Sequence, residues 1–165
     1  MENYSRYKLL AHQIDEISFE QQLRKIENKN RDFTYEIYER IPNKYLVSFS
    51  VIMNKAANEI DGLLYNGRTA NYSPKTISEK YSKLKTHTTA LTAVIIFNDK
   101  IIATLSGYGN KNKSGFFLFA IYVRPEFRNR GFGYWLNLKI LLEIKRRKSN
   151  LSHIELETKE SNWVS

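Results

Sequence analysis

Residues 116–134, FFLFAIYV-RPEFRNRG-FGY, join a buried strand directly to a long helix. Phe116–Val123 is apolar on nearly every residue, the pattern of a strand covered on both faces and central in its sheet. Behind it, Gly131 and Gly133 stand one residue apart at a predicted helix start. Glycines placed there let backbone approach a ligand closely. The unpaired N–H groups of the first helical turn, together with the helix dipole, form an anion site. A tight strand–helix turn that needs glycine for steric reasons accounts for the same pair. Arg124, Arg128 and Arg130 add positive charge around the bend.

Working outward, the helix is predicted over 131–147, with Tyr134, Leu138, Leu141, Leu142 and Ile144 as its core stripe. A strand follows over 153–158, where Ile154, Leu156 and Thr158 alternate with Glu155 and Glu157. A right-handed strand–helix–strand crossover makes 116–123 and 153–158 parallel. Upstream, 90–97 and 100–107 are β-rich runs separated by Asn98–Asp99, two residues that tolerate positive φ and so suit a tight hairpin. A looser turn at 109–115 leads into the central strand. Ser73–Pro74 starts a helix that runs to about Thr86, and Leu46, Phe49, Ile52, Met53 and Ala56 mark another over 43–58, with 61–70 as loop. Alternating Phe33, Tyr35 and Ile37 predict a strand over 33–40, stopped at Ile41–Pro42. A short helix over 18–28 has Ser18 as its N-cap. The expected fold class is mixed α/β, a largely antiparallel sheet with helices on both faces, with residues 1–31 as a helical appendage.

The 165 residues suit one domain with a real core; 42% are hydrophobic and 26% charged, which excludes collagen-like and wholly disordered chains. Without cysteine there is neither a disulfide scaffold nor a thiolate metal site. His12, His87 and His153 lack metal-ligand spacing, so no metal is expected. No apolar run approaches the roughly 20 residues of a membrane span, and MENYSRYKLL has no signal-peptide core. The expectation is a soluble cytoplasmic protein. Of the net charge of +9, much lies in Arg124, Arg128, Arg130, Lys139, Lys145, Arg146, Arg147 and Lys148, set against Glu126 and Glu143. Such a cluster suits a polyanion; a solvated helix face with a cationic C-terminus is the plainer alternative.

Arg128-x-x-Gly131-x-Gly133, preceded by Val123-x-Pro125-Glu126 and an apolar strand, resembles motif A of the GNAT acetyltransferase superfamily. The order of elements over roughly 33–162 fits as well. A dinucleotide fingerprint is excluded by the missing third glycine, and a P-loop by the missing Gly-Lys-Ser/Thr. The resemblance implies that acetyl-CoA is the co-substrate. Its pyrophosphate would lie on the turn of Asn129, Arg130, Gly131, Phe132, Gly133 and Tyr134. Its pantetheine arm would run along the strand through Ile121 and Val123, and its thioester would lie where strands 116–123 and 153–158 splay apart. A backbone amide near Tyr122 or Val123 would polarise the thioester carbonyl. Arg128 and Arg130 are the phosphate candidates, Arg124 a secondary one.

Two departures from the family pattern stand out. Strand 116–123 carries no carboxylate, so Tyr122 and Glu157 are the catalytic candidates, with Glu126 and Glu155 nearby. Family members also continue past the fifth strand with an Asn-headed helix and a strand pair. Here Asn162 matches the Asn position, and the sequence ends at Ser165. Cover for the strand at 153–158 is then expected from another chain, from residues 1–31, or from sequence beyond these residues. Tyr35–Pro42, Met53–Gly62 and Ser73–Lys80 further resemble one half of the two-module bacterial GNAT proteins, which points to a homodimer or a second module. The leading function is an acetyl-CoA-dependent N-acetyltransferase acting on a primary amine of a small molecule or peptide. The alternatives are a GNAT-fold acyl-CoA-binding or partner module and, in another class, a basic nucleic-acid-binding domain. Against the last, the strands show no aromatic–basic interleaving.

Overall fold

The computed structural model describes residues 4–61, 64–65, 68–69, 72–84 and 87–159. Its elements are β1 (Tyr4–Leu10), α1 (Glu16–Lys29), β2 (Thr34–Tyr38), α2 (Leu46–Asp61), β3 (Leu64–Tyr65), β4 (Arg68–Thr69), α3 (Pro74–Ser82), β5 (Thr88–Phe97), β6 (Lys100–Asn110), β7 (Gly115–Val123), α4 (Phe132–Arg147) and β8 (His153–Lys159). Six strands make one sheet in the order β1-β8-β7-β6-β5-β2, and β3 with β4 forms a small hairpin. β7 and β8 are parallel, as the crossover through α4 requires; the other pairings in the sheet are antiparallel.

Local chemistry accounts for the punctuation. Asn98 and Asp99 take φ of 50° and 58°, so the β5–β6 hairpin turns on the two residues that best accept that conformation. Ser73 caps α3 by accepting from the Thr76 amide at 3.1 Å, with Pro74 in the first turn. The N-cap of α1 is Asp15 rather than Ser18: the Ser18 amide donates to the Asp15 carboxylate at 3.0 Å. A carboxylate also complements the helix dipole there, which a hydroxyl does not. The 61–70 stretch read as loop carries the β3–β4 hairpin.

Helices pack on both faces of the sheet. On one, α1 and α4 bury Ile14, Leu23, Phe116, Leu118, Trp135 and Leu136. On the other, α2 and α3 bury Phe49, Ile52, Ile77, Val94, Ile101 and Tyr122. The core stripe of α4 differs from the reading in one respect. Tyr134 is exposed, while Phe132, Trp135, Leu136 and Ile140 are buried with Leu138, Leu142 and Ile144. With the helix beginning at Phe132, the inward arc is set by Phe132 and Trp135, which turns Tyr134 out to solvent. Among the described residues, no helix is long and apolar enough to cross a membrane.

Residues 4–29, read as a helical appendage, are built into the sheet and its core. β1 pairs with β8 along its length, from Tyr4↔Lys159 to Leu10↔His153. The cover expected for β8 thus comes from the chain's own N-terminal segment, which removes the open-edge problem of a lone β8. α1 then packs on α4 through Ile14 and Leu23, and Lys145 donates to the Ile14 carbonyl at 2.7 Å. Removing residues 1–31 is therefore expected to lower unfolding stability by at least about 3 kcal/mol, since Ile14 and Leu23 alone are worth that much when buried. Urea denaturation measures it; an unchanged midpoint would show that β1 and α1 are dispensable to the fold.

Candidate functional site

β7 and β8 part company halfway along. Among the described residues their pairing runs from Gly115↔His153 to Leu118↔Leu156 and goes no further. β7 continues to Val123 and β8 to Lys159, so a V opens between them. On its other edge β7 stays bound to β6, but with a register shift: Ser106 pairs with Phe119 and Thr104 with Tyr122. Two strand steps on β6 span three on β7, which makes a bulge at residues 120–121. A bulge inverts the facing of the residues after it. Before it, Phe116 and Leu118 point to the α4 side; after it, Tyr122 lies in the core under α2. Ile121 is 37% exposed and lies on the α4 side: a Cβ built on Gly133, in the first turn of α4, would meet its Cδ1 at 3.7 Å.

The mouth of the V leads into the glycine turn. A 3₁₀ turn over Pro125–Phe127 follows β7. Asn129 takes φ of 64°, Gly131 φ of 82°, and α4 starts at Phe132. Among the described residues, the amides of residues 129–134 make no hydrogen bond to the protein; the first to do so beyond the turn is Trp135, to the Gly131 carbonyl at 2.9 Å. Helix geometry explains this, since the first turn has no acceptors of its own. The result is a run of outward amides at the positive end of a 16-residue helix. A Cβ on Gly131 would meet nothing within 4 Å, and one on Gly133 only an ordinary contact. Packing within the protein does not demand glycine at 133, and at 131 only the backbone conformation does.

Two phenylalanines hold the turn in place. Phe132 is buried, with its ring 4.7 Å from Phe33 and 6.1 Å from Trp135. Phe127, on the other side of the bend, packs on Phe97 at 5.6 Å and Phe33 at 6.0 Å. Arg128 ties the turn to the strand: its Nε donates to the Val123 carbonyl at 2.9 Å and its guanidinium lies 5.4 Å from the Tyr122 ring centroid.

The cation cluster divides into two parts. On α4, Lys139 pairs with Glu27 at 2.9 Å, Arg146 with Glu20, and Arg147 with Glu143 and Glu39. Lys148 donates to the Asn110 carbonyl at 2.8 Å, and burial lowers its pKa. These cations face partners within the fold, as the solvated-helix alternative has it. Arg124, Arg128 and Arg130 belong to the turn, with Arg130 over the Phe127 ring at 5.6 Å.

The predicted site residues fall as follows. Ile121 at the end of β7 lies against Gly133 in the first turn of α4, and Val123 accepts from Arg128 of the turn. Phe132 presents only its backbone there, its ring being in the core. Tyr122 is 3% exposed and packs among the α2-side core residues. Glu157 lies on β8 beyond the last β7–β8 pair, with Arg6 as its β1 partner, and its side chain is outside the described residues, as is Asn162. Glu126 is exposed on the 3₁₀ turn. Sequence reasoning missed Thr104, whose buried hydroxyl has no partner beside Tyr122, and the buried unpartnered Nε of Arg124. It also missed an aromatic group on the open face of β6 and β7, formed by Tyr108, Phe117 and Phe119. The near-continuous apolar run hid the last of these, because it predicts burial on both faces. Among the described residues, no cluster of His, Asp and Glu is placed to hold a metal ion.

The acetyltransferase (GNAT) family model matches residues 58–164. No curated protein matches significantly. Among solved structures, a tandem GNAT protein from the clavulanic acid biosynthesis pathway is 13% identical with a TM-score of 0.69, covering 98% of this chain and 46% of its own. The chain therefore spans less than half the length of that protein. An acetyltransferase of Trypanosoma brucei is 15% identical (TM-score 0.58; 79% of this chain, 86% of that one). A ribosomal-protein-alanine N-acetyltransferase of Brucella melitensis biovar Abortus 2308 is 12% identical (TM-score 0.54; 75% and 79%). At these identities the likeness is one of fold.

The two glycines are expected to respond to alanine with opposite signs. Gly131→Ala forces a side chain into the left-handed region and costs about 1–2 kcal/mol of stability. Gly133→Ala meets no clash and is neutral or stabilising by up to about 1 kcal/mol. Chemical denaturation of the two variants decides; equal losses would mean that Gly133 is needed by the fold.

Proposed function

The chain belongs to the acetyltransferase (GNAT) family, and we propose that it transfers the acetyl group of acetyl-CoA to a primary amine. The observation that carries the proposal is the run of outward amides at residues 129–134, at the mouth of the β7–β8 V. A pyrophosphate suits those amides and the α4 dipole, with Arg130 and the guanidinium of Arg128 at its rim. The free edge of β7 beyond Leu118 suits the amides of the pantetheine arm, which would pair with it as a strand does. The thioester then lies beside the bulge at 120–121, where a backbone amide near Tyr122 or Val123 is the candidate donor to its carbonyl oxygen.

In the reaction, the neutral amine attacks the thioester carbon, a C–N bond forms and the C–S bond breaks. CoA leaves as a thiolate that takes up a proton, while the amine's proton passes to a base or water. Glu157 is proposed as that base from its place on β8 beyond the last β7–β8 pair. Tyr122, buried under α2, is proposed as a positioning residue that supports Arg128 through its ring. Alignment of the two substrates supplies much of the rate in such a site. The length relation to the tandem protein supports a further proposal, that the chain corresponds to one module of a two-module assembly.

Calorimetric titration with acetyl-CoA and thioester consumption with a panel of amines test the reading. Gly133→Val is expected to weaken acetyl-CoA binding at least about tenfold, because the added methyls project toward Ile121 where the cofactor would run, while the fold survives. Undiminished binding would place the pyrophosphate elsewhere. Absence of any acetyl-CoA binding in the unaltered protein would overturn the proposal.

A further inference from the structure

The two faces of the V differ in chemistry. The glycine turn and Ile121 lie on the α4 side, so a nucleotide-bearing donor approaches from there. The opposite mouth opens toward the face on which Tyr108, Phe117 and Phe119 lie. Their ring centroids are 5.5 to 6.2 Å apart, with Phe117 and Phe119 stacked within 17° of parallel. Tyr108 is 48% exposed and Phe119 37%. Large aromatic surface left open beside central strands contributes little to folding, and such patches mark binding sites. A cleft of about 860 Å³ begins on this face, with Tyr108 and Phe117 in its wall and Glu155 and His153 at its β8 side. Glu155 stands opposite Phe117 in the β7–β8 register, one pair before the strands separate. His153 Nε2 lies 3.3 Å from its carboxylate. Lys113 also lines the cleft, and Lys8 faces Glu155 across β1.

We infer that the acceptor is a primary amine carried on an aromatic body, which lies across Tyr108, Phe117 and Phe119 with its amine directed past Phe119 into the V. As the choice of acceptor, this rests on the transferase reading; as a binding site, it does not. Three ring faces favour a flat apolar body, and ring quadrupoles favour a cation. A polyamine or other wholly hydrophilic amine would leave the platform wet and gain none of the ring contact. Phe119 sits between the cleft and the bulge, so its ring is the specificity-determining contact nearest the reacting nitrogen.

The test uses the full chain and two probes, 2-phenylethylamine and butane-1,4-diamine, titrated by calorimetry with and without CoA. The expected result is that the phenyl probe binds at least about tenfold more tightly than the diamine. Phe119→Leu, which keeps an apolar side chain but removes the ring, should weaken the phenyl probe about fivefold and leave CoA affinity unchanged. Equal affinity for the two probes, or indifference of the phenyl probe to Phe119→Leu, overturns the inference. If the phenyl probe binds in this ring-dependent way and CoA does not bind at all, the transferase reading falls while the aromatic ammonium site stands.

Discussion

The parting of β7 from β8 after Leu118 is the constraint on which the rest of the structure depends. A strand in the middle of a sheet that gives up its neighbour leaves N–H and C=O groups open, and buried groups of that kind must find partners. The fold keeps the parting stable by securing everything around it. β6 holds the other edge of β7 through the bulge. Phe127 and Phe132 sink into the aromatic core on either side of the glycine turn. β1 pairs the far edge of β8, so that β8 can leave β7 without becoming a strand bound on neither side. Among the described residues this leaves a short unpaired edge of β7 and the N-terminus of α4, the two features on which the proposed acetyl-CoA site rests.

This arrangement explains why the central elements were legible in the sequence and β1 was not. Residues 115–147 carry strong signals: an unbroken apolar strand, two glycines in a bend, a long helix. Asn98–Asp99 and Ser73–Pro74 were legible because their conformational preferences are local and needed no tertiary context. Of Tyr4–Leu10 only Leu9 packs on the core; Tyr7 on the same face is 44% exposed, and Arg6 and Lys8 alternate with them. Its strand character comes from β8 across the sheet, a contact more than 140 residues away in sequence. Such non-local pairing leaves little trace in seven residues. The same reason hid the exposure of Tyr134: its spacing on the helix fits a core stripe, and only the seating of Phe132 and Trp135 decides which arc faces in.

The basic cluster shows how charge in sequence divides once folded. Eight cations within 25 residues read as one feature, yet α1 brings Glu20 and Glu27 against the far half of α4. Those pairs are partly exposed, so each contributes modestly to stability. Their larger effect is on the field: they lower the positive potential along the part of α4 that α1 faces.

The chain uses its aromatic residues in two ways, and the contrast bears on function. Phe33, Phe97, Phe127, Phe132 and Trp135 form a buried group under the glycine turn, where they add stability and rigidity. Tyr108, Phe117 and Phe119 form a second group of similar ring spacing, with Tyr108 and Phe119 exposed and Phe117 half-buried. If packing alone governed where rings are placed, the second group would be covered by a helix as the first is by α4. Among the described residues, α2 and α3 instead pack on the part of that face around Val94, Ile101 and Tyr122. The strand that supplies both the open rings and the free edge is β7. One strand therefore carries both features, with the bulge at 120–121 turning its later residues to the opposite face. In the proposed transfer that geometry would let the two substrates meet at the bulge from opposite faces, whereas a module that only held a nucleotide would have no use for the second surface.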